Sequence, residues 1–205
     1  MKKKICILDY GSGNVTSVYN AVKKLGFFVK ISNKKANIRD ASHLILPGVG
    51  SFEQAMKKIN ATLPVEFIEN QVFNKLKPFL GICVGMQVLA EKGYENKETK
   101  GLNWIKGHVD LLKVKKLPLP HVGWNNLSKK KYFKILESYN EEEDMYFVHS
   151  YVFRCKNSKN VVATCRYGEE FSAIIQDENI LGFQFHPEKS QNVGMNLLKN
   201  FINYF

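Results

Sequence analysis

Pro78-Phe79-Leu80-Gly81-Ile82-Cys83-Val84-Gly85-Met86-Gln87 is the stretch on which the reading of this chain turns. Four apolar residues and a glycine bring a cysteine to a tight turn, and helix-forming residues, Val88 excepted, follow from Met86 to Lys92. The pattern is that of a nucleophile elbow with sulfur in place of a serine hydroxyl. Glycines stand on both sides of the turn because a strained backbone and close packing leave no room for a Cβ. A cysteine opening a helix also meets the positive end of the helix dipole and unpaired amide donors, which favour the thiolate. Taken alone, the stretch reads equally as a small buried cysteine in a core strand.

A second stretch, Gly182-Phe183-Gln184-Phe185-His186-Pro187-Glu188-Lys189-Ser190, favours chemistry. Ile180 to Phe185 has the composition of a strand, and Pro187 holds His186 in an extended conformation, which puts the imidazole at the strand's carboxyl end. Residues two apart in an extended chain point the same way, so Glu188 can hold one ring nitrogen while the other faces a thiol. Cys83, His186 and Glu188 then have the roles of a Cys-His-acid triad, which is defined by role and not by chain order.

Further motifs sharpen the reading. Asp9-Tyr10-Gly11-Ser12-Gly13-Asn14, Pro47-Gly48-Val49-Gly50, Gly-Ile-Cys-Val-Gly-Met-Gln at 81 to 87, Pro-His-Val-Gly-Trp-Asn at 120 to 125, Phe-Val-His-Ser-Tyr at 147 to 151 and Phe-Gln-Phe-His-Pro-Glu-Lys-Ser at 183 to 190 span nearly the whole chain. Together they resemble the class I (triad) glutamine amidotransferases. The elbow and His-Pro-Glu specify only that superfamily. Gly-Met-Gln, Pro-His-Val-Gly-Trp-Asn and Val-His-Ser-Tyr resemble its histidine-pathway branch, the glutaminase subunits of imidazole glycerol phosphate synthase.

The resemblance implies one glutamine amidotransferase domain over residues 1–205, with no cofactor. It implies that Cys83 attacks the side-chain amide of glutamine, that His186 protonates the departing ammonia and later activates water, and that Glu188 orients the imidazole. Such an attack creates an oxyanion that needs backbone donors. The Val84 amide, next after the nucleophile, supplies one, and by resemblance the Val49 amide supplies the other. Gly48, Gly50, Gln87 and the backbone at Ser150 and Tyr151 are implied to hold the substrate. Trp124, Tyr146 and Lys189 are implied to lie near the interface with a (β/α)8-barrel synthase subunit in a heterodimer, which receives the ammonia and on which glutaminase turnover depends. Val84 stands where leucine is commoner, a change with little consequence for a residue that contributes its amide.

Composition sets the outer bounds. A chain of 205 residues, 44% apolar and 24% charged, can bury one sizeable core without disulfides or metals. Cys6, Cys83, Cys155 and Cys165 show no paired spacing, and the apolar run behind the basic Met1 to Lys4 stops at Asp9, too short for a signal core or a membrane span. The expectation is a cytoplasmic protein with reduced thiols and no membrane contact. The net charge of +11 is spread over short lysine groups with no nucleic-acid motif, which indicates a solvated surface or a docking face rather than nucleic-acid binding. His43, His108, His121, His149 and His186 have no metal-ligand spacing, so no metal is expected.

Periodicity gives the architecture. Strands at Lys4 to Leu8, Phe27 to Ile31 and His43 to Leu46 alternate with helices, one running to about Leu25 and another, Phe52 to Ile59, capped by Ser51 with Gln54 completing a capping box. Helical sequence at Pro64 to Leu76 precedes the elbow. The fold class is α/β, a three-layer sandwich with a mostly parallel, flavodoxin-like sheet and chemistry at the carboxyl ends of its strands. Gly11-Ser12-Gly13 lacks the third glycine of a dinucleotide fingerprint and reads as a turn. Beyond Gly101, strands at Gly107 to Val114, Met145 to Val148, Asn160 to Cys165, Phe171 to Ile175 and Ile180 to Phe185 are expected to extend the sheet antiparallel. A last helix runs from about Asn192 to Tyr204. Two alternatives stay open on sequence: a paralogue that supplies ammonia to another synthase, such as one acting on a sugar nucleotide, and a non-catalytic binding protein on the same fold.

Overall fold

The computed structural model describes residues 3–205, so Met1 and Lys2 of the basic start lie outside the described residues. In the first half, β1 (Lys4–Leu8), α1 (Val15–Lys24), β2 (Phe28–Ser32), α2 (Lys35–Asp40), β3 (His43–Gly48), α3 (Phe52–Thr62), α4 (Val65–Glu69), β4 (Phe79–Cys83) and α5 (Val84–Gln87) follow in order. The second half holds β5 (Lys92–Gly93), β6 (Thr99–Lys100), β7 (Gly107–Leu111), β8 (His121–Asn126), β9 (Ser128–Lys129), β10 (Asp144–His149), β11 (Tyr151–Cys155), β12 (Val161–Tyr167), β13 (Glu169–Asp177), β14 (Ile180–Phe183) and α6 (Gln191–Tyr204). The main sheet has the order β2-β1-β3-β4-β14-β13-β12-β9. Its first five strands pair in parallel and the remainder antiparallel.

Alternation along β3 shows how the layers are held. His43 meets Phe201 of α6 edge-on at 5.5 Å on one face. On the other face Leu46, with Leu8 and Phe79, packs towards Ile59, Leu63 and Ile68 of the α3–α4 segment. Because strand residues alternate between faces, both surfaces of the parallel strands must be apolar, and every residue of β3 and β4 is buried. The α1 helix buries Val15, Val18, Ala21 and Val22, a stripe at helical spacing. Ser51 caps α3, accepting from the Gln54 amide at 3.4 Å; among the described residues the Gln54 side chain does not return the bond, so only half of the expected box forms.

The second half departs from the expected single extended sheet. Only β12, β13 and β9 extend the main sheet antiparallel. The Gly107 strand instead joins a four-stranded sheet of order β11-β7-β5-β6, and the Met145 strand pairs with β8 as a two-stranded ribbon. The chain breaks direction at Ser150, between β10 and β11, so one stretch serves two sheets. The partner of β10 escapes a reading by periodicity because Gly123 and two asparagines dilute the strand character of His121–Asn126.

This topology gathers the chemistry. Gly48 is in register with Cys83 across β3 and β4, and Ile82 with Phe183 across β4 and β14. The Pro47–Gly50 turn, the cysteine elbow and the His186 segment therefore leave the sheet side by side at the carboxyl ends of three neighbouring parallel strands.

Candidate active site

Cys83 sits at the turn with φ +55° and ψ −113°, a conformation disfavoured for any residue with a Cβ. The strain is held in place by packing: a Cβ on Gly85 would run into the Leu46 carbonyl, and one on Gly81 into the Gly85 carbonyl. The elbow helix is one turn long, not the longer helix expected to Lys92. The returning segment ends it, since the Leu102, Asn103 and Trp104 amides bond the Val88, Ala90 and Leu89 carbonyls that a continuing helix would use. Cys83 is 3% exposed, with its sulfur 3.9 Å from the Val148 carbonyl oxygen.

Beside it, His186 is fully buried. Its Nδ1 lies 2.9 Å from Glu188 Oε1, and that oxygen also accepts a 2.7 Å bond from the Asn14 amide, whose nitrogen is 3.3 Å from the same ring nitrogen. The other ring nitrogen, Nε2, is buried and has no protein hydrogen-bond partner. Burial alone would lower the His186 pKa, but the neighbouring Cys83 and the bonded Glu188 carboxylate outweigh it and push it up to about 9. Acid, base and thiol thus meet as the spacing of the three residues implied. Asn14 was missed as part of this group; its place on the turn before α1, at the carboxyl end of β1, was the signal that could have found it.

A cavity of about 340 Å³ opens over the sulfur, bordered by Val49, Gly50, Val84, Gln87, Glu95, Ser150 and Tyr151 as well as Cys83, His149 and His186. That is room for one small molecule. Several expected contacts differ in detail. The Val49 amide donates to Ser12 Oγ at 3.2 Å, so in this arrangement the second expected oxyanion donor is committed elsewhere. Val84, first residue of α5, has its amide among the helix's unpaired N-terminal donors. Gly48 does not line the cavity; it lies beneath, against Tyr10, Val84 and Gly85. The Tyr151 carbonyl, one of the backbone groups expected to hold the substrate, is taken by His149 Nδ1 at 3.1 Å and Gln87 Nε2 at 2.8 Å. Sequence reasoning missed Glu95, whose carboxylate accepts from the Phe52 amide at 2.6 Å at the start of α3. It lies in a turn with no motif around it.

Among the described residues no group of three or more acidic, histidine or cysteine side chains is placed to hold a metal ion, and no helix is long and apolar enough to cross a membrane. The expected interface residues gather on one exposed face. Trp124 and Tyr146 are cross-strand partners in the β8–β10 ribbon with rings 5.6 Å apart, and the Lys189 ammonium lies 5.7 Å from the Tyr146 ring centre. Trp124 and Val122, on the same side of their strand, are 47% and 56% exposed, an apolar surface of the kind that partners cover.

A parallel sheet that presents a strained cysteine, a buried His-Glu pair and a small cavity at its carboxyl ends has the layout of a cysteine hydrolase of the triad type. The chain belongs to the class-I glutamine amidotransferase family, whose model matches residues 6–204. Within it, the chain is 43% identical to the imidazole glycerol phosphate synthase subunit HisH 2 of Vibrio vulnificus, covering 98% of this chain and 94% of that protein. It is 45% identical to the HisH subunit of Aquifex aeolicus, with 95% and 94% covered. Solved structures share the fold at low identity. The PurLQS structure from Thermotoga maritima matches with a TM-score of 0.76 at 20% identity, covering 100% of this chain and 99% of that one. A glutamine amidotransferase from Thermotoga maritima matches with a TM-score of 0.65 at 17% identity, covering 100% and 82%.

Proposed function

We propose that this chain is the glutaminase subunit of an imidazole glycerol phosphate synthase. It forms one glutamine amidotransferase domain that works in the cytoplasm and passes ammonia to a (β/α)8-barrel synthase subunit. The observation that carries the chemistry is the buried His186–Glu188 pair set against Cys83. Similarity to HisH subunits over nearly the whole chain supports the choice of client.

In this reading Cys83 Sγ adds to the side-chain amide carbon of glutamine. The Val84 amide receives the developing oxyanion, and the Val49 amide joins it once it leaves Ser12. His186 gives its proton to the amide nitrogen, the C–N bond breaks, ammonia departs and a thioester remains. His186 then takes a proton from water as the water attacks the thioester, and glutamate leaves as the thiol is restored. Glu188, held by Asn14, keeps Nδ1 protonated so that Nε2 does the proton transfer. The Glu95 carboxylate at the cavity wall is placed to pair with the substrate's ammonium group. The ribbon face of Trp124 and Tyr146, with Lys189 beside it, docks the synthase.

The test is growth. Expression of this chain in a histidine auxotroph lacking its own glutaminase subunit, with the matching barrel subunit supplied and ammonia kept scarce, restores growth on this reading. Glutaminase activity that survives in vitro while growth fails sends the ammonia to a different synthase.

A further inference from the structure

One backbone carbonyl fixes the orientation of a whole chain of side chains leading to the nucleophile. The Tyr151 carbonyl oxygen can only accept hydrogen bonds, so both polar atoms that meet it must donate. Gln87 therefore presents its amide nitrogen there, at 2.8 Å, and the second hydrogen of the same nitrogen reaches Gln184 Oε1 at 3.0 Å. With its oxygen turned to Gln87, the Gln184 side chain has its nitrogen towards Cys83 Sγ, at 3.9 Å. On the other side His149 must carry its proton on Nδ1, so its Nε2 accepts from His121 Nδ1 at 3.1 Å. Flipping Gln87 would set its oxygen against the Tyr151 and Gln184 oxygens, and flipping Gln184 would set its nitrogen against the Gln87 nitrogen, donor against donor.

We propose that Gln184 is a further catalytic residue of this enzyme: its amide N–H donates to Cys83 Sγ and stabilises the thiolate, and Gln87 holds it in that orientation. Gln184 is completely buried, and a buried primary amide costs stability unless both its ends are bonded. An apolar residue would fill the same space just beyond β14 at lower cost. A hydrogen bond to a charged acceptor is shorter and stronger than one to a neutral acceptor, so the 3.9 Å contact tightens as the thiol ionises. Gln87 gains a second duty: with its nitrogen spent on Tyr151 and Gln184, its oxygen is the atom left for substrate. The chain begins at His121 on β8, the strand that carries Trp124.

The proposal rests on Cys83 as the nucleophile, and its test reads the sulfur directly, without turnover. The titratable groups around that sulfur are His186, with Glu188 behind it, and Tyr10, with His149, Glu95 and Tyr151 on the cavity wall. The rate of Cys83 alkylation by iodoacetamide is followed across the pH range of thiol ionisation in the full chain. Cys6, Cys155 and Cys165 do not interfere, because burial raises their pKa values to about 11, 11 and 12. Gln184→Met, which keeps the length and loses the donor, moves the midpoint upward and slows alkylation at neutral pH about tenfold, the equivalent of one pKa unit. Gln184→Glu, which sets a carboxylate oxygen against the sulfur, slows it further. Unchanged midpoints in both folded variants overturn the proposal. Since either substitution can unfold a buried site, the unaltered chain gives an independent reading: the side-chain amide nitrogen resonance of Gln184 shifts with the same midpoint as alkylation, and a resonance that stays constant through that titration overturns the proposal equally. Whether Cys83 performs turnover is settled separately by Cys83→Ala.

Discussion

The two halves of the site stand in different states of readiness. On the base side, the His186, Glu188 and Asn14 side chains are buried and bonded at 2.7 to 2.9 Å, and the second imidazole nitrogen is buried with no protein hydrogen-bond partner. On the acceptor side, one of the two expected oxyanion donors is occupied: the Val49 amide bonds Ser12, on a turn where Val49 is 40% exposed. The histidine and its partners are built into the core of the sheet, whereas the Val49 amide belongs to an exposed turn. On the proposed mechanism, a site divided in this way holds its nucleophile ready while withholding part of the stabilisation that makes it fast. The exposed β8–β10 ribbon borders the cavity, with Val148 contributing to both the ribbon and the cavity wall.

Each side can be broken separately. Glu188→Gln removes the carboxylate charge that stabilises the imidazolium and sets an NH2 donor beside the ring, and it lowers kcat by about a hundredfold or more, within the range general acid-base catalysis supplies, while KM for glutamine stays within about twofold. A large rise in KM at normal kcat would end the orienting role. On the acceptor side, Ser12→Ala frees the Val49 amide and raises glutamate release by the isolated chain. The ceiling is about a hundredfold, since one oxyanion donor is worth about 3 kcal/mol, and steady-state turnover without partner is the check. If Ser12→Ala lowers that turnover, the hydroxyl supports the loop rather than withholding it.

Smaller effects follow from charge. The histidines on opposite walls of the cavity are shifted in opposite directions: His186 up to about 9, His149 down to about 3, with His121 behind it and His43 in the core each down to about 4. Burial dominates the three that fall. For those three the unfolded chain takes up protons first, so their contribution is complete above about pH 6.5 and is lost as pH falls towards 4. His186 contributes fully below about pH 6.5, and its share is lost as pH rises through about 9. Urea midpoints measured against pH should therefore peak close to pH 6.5, and His121→Phe should flatten the acid limb. The smallest effect is at the docking face. Lys189→Ala weakens partner-dependent activation by a few-fold, in keeping with the ~1 kcal/mol of an exposed charge, and leaves Cys83 alkylation in the isolated chain unchanged.

Sequence conveyed the first half of the fold well because strands buried on both faces and helices with one apolar stripe have strong periodic signatures; β1, β3 and β4 began where apolar runs began. It conveyed the second half less well. β7 and β10 were read as strands but placed in the wrong sheet, since a period of two tells which residues alternate and nothing about which strand lies alongside. In the site, Cys83, His186 and Glu188 were legible as candidates because two short motifs, the glycine-flanked cysteine and His-Pro-Glu, carry them. Asn14 and Glu95 were not, because each acts across a contact made only by the fold: Asn14 lies 174 positions before the carboxylate it holds, and Glu95 reaches the start of a helix 43 residues earlier. Ser12 was quoted as part of a turn, but its hydroxyl's hold on Val49 depends on two loops meeting at the ends of β1 and β3.

The most direct test of a ready base side and a withheld acceptor side is glutamate release from glutamine by the purified chain, alone and with a liganded barrel synthase partner, beside a Cys83→Ala control. Slow release alone and a large rise on adding the liganded partner are the expected results, with neither in the control. Full turnover by the isolated chain, unchanged by the partner, would contradict the division between the two sides.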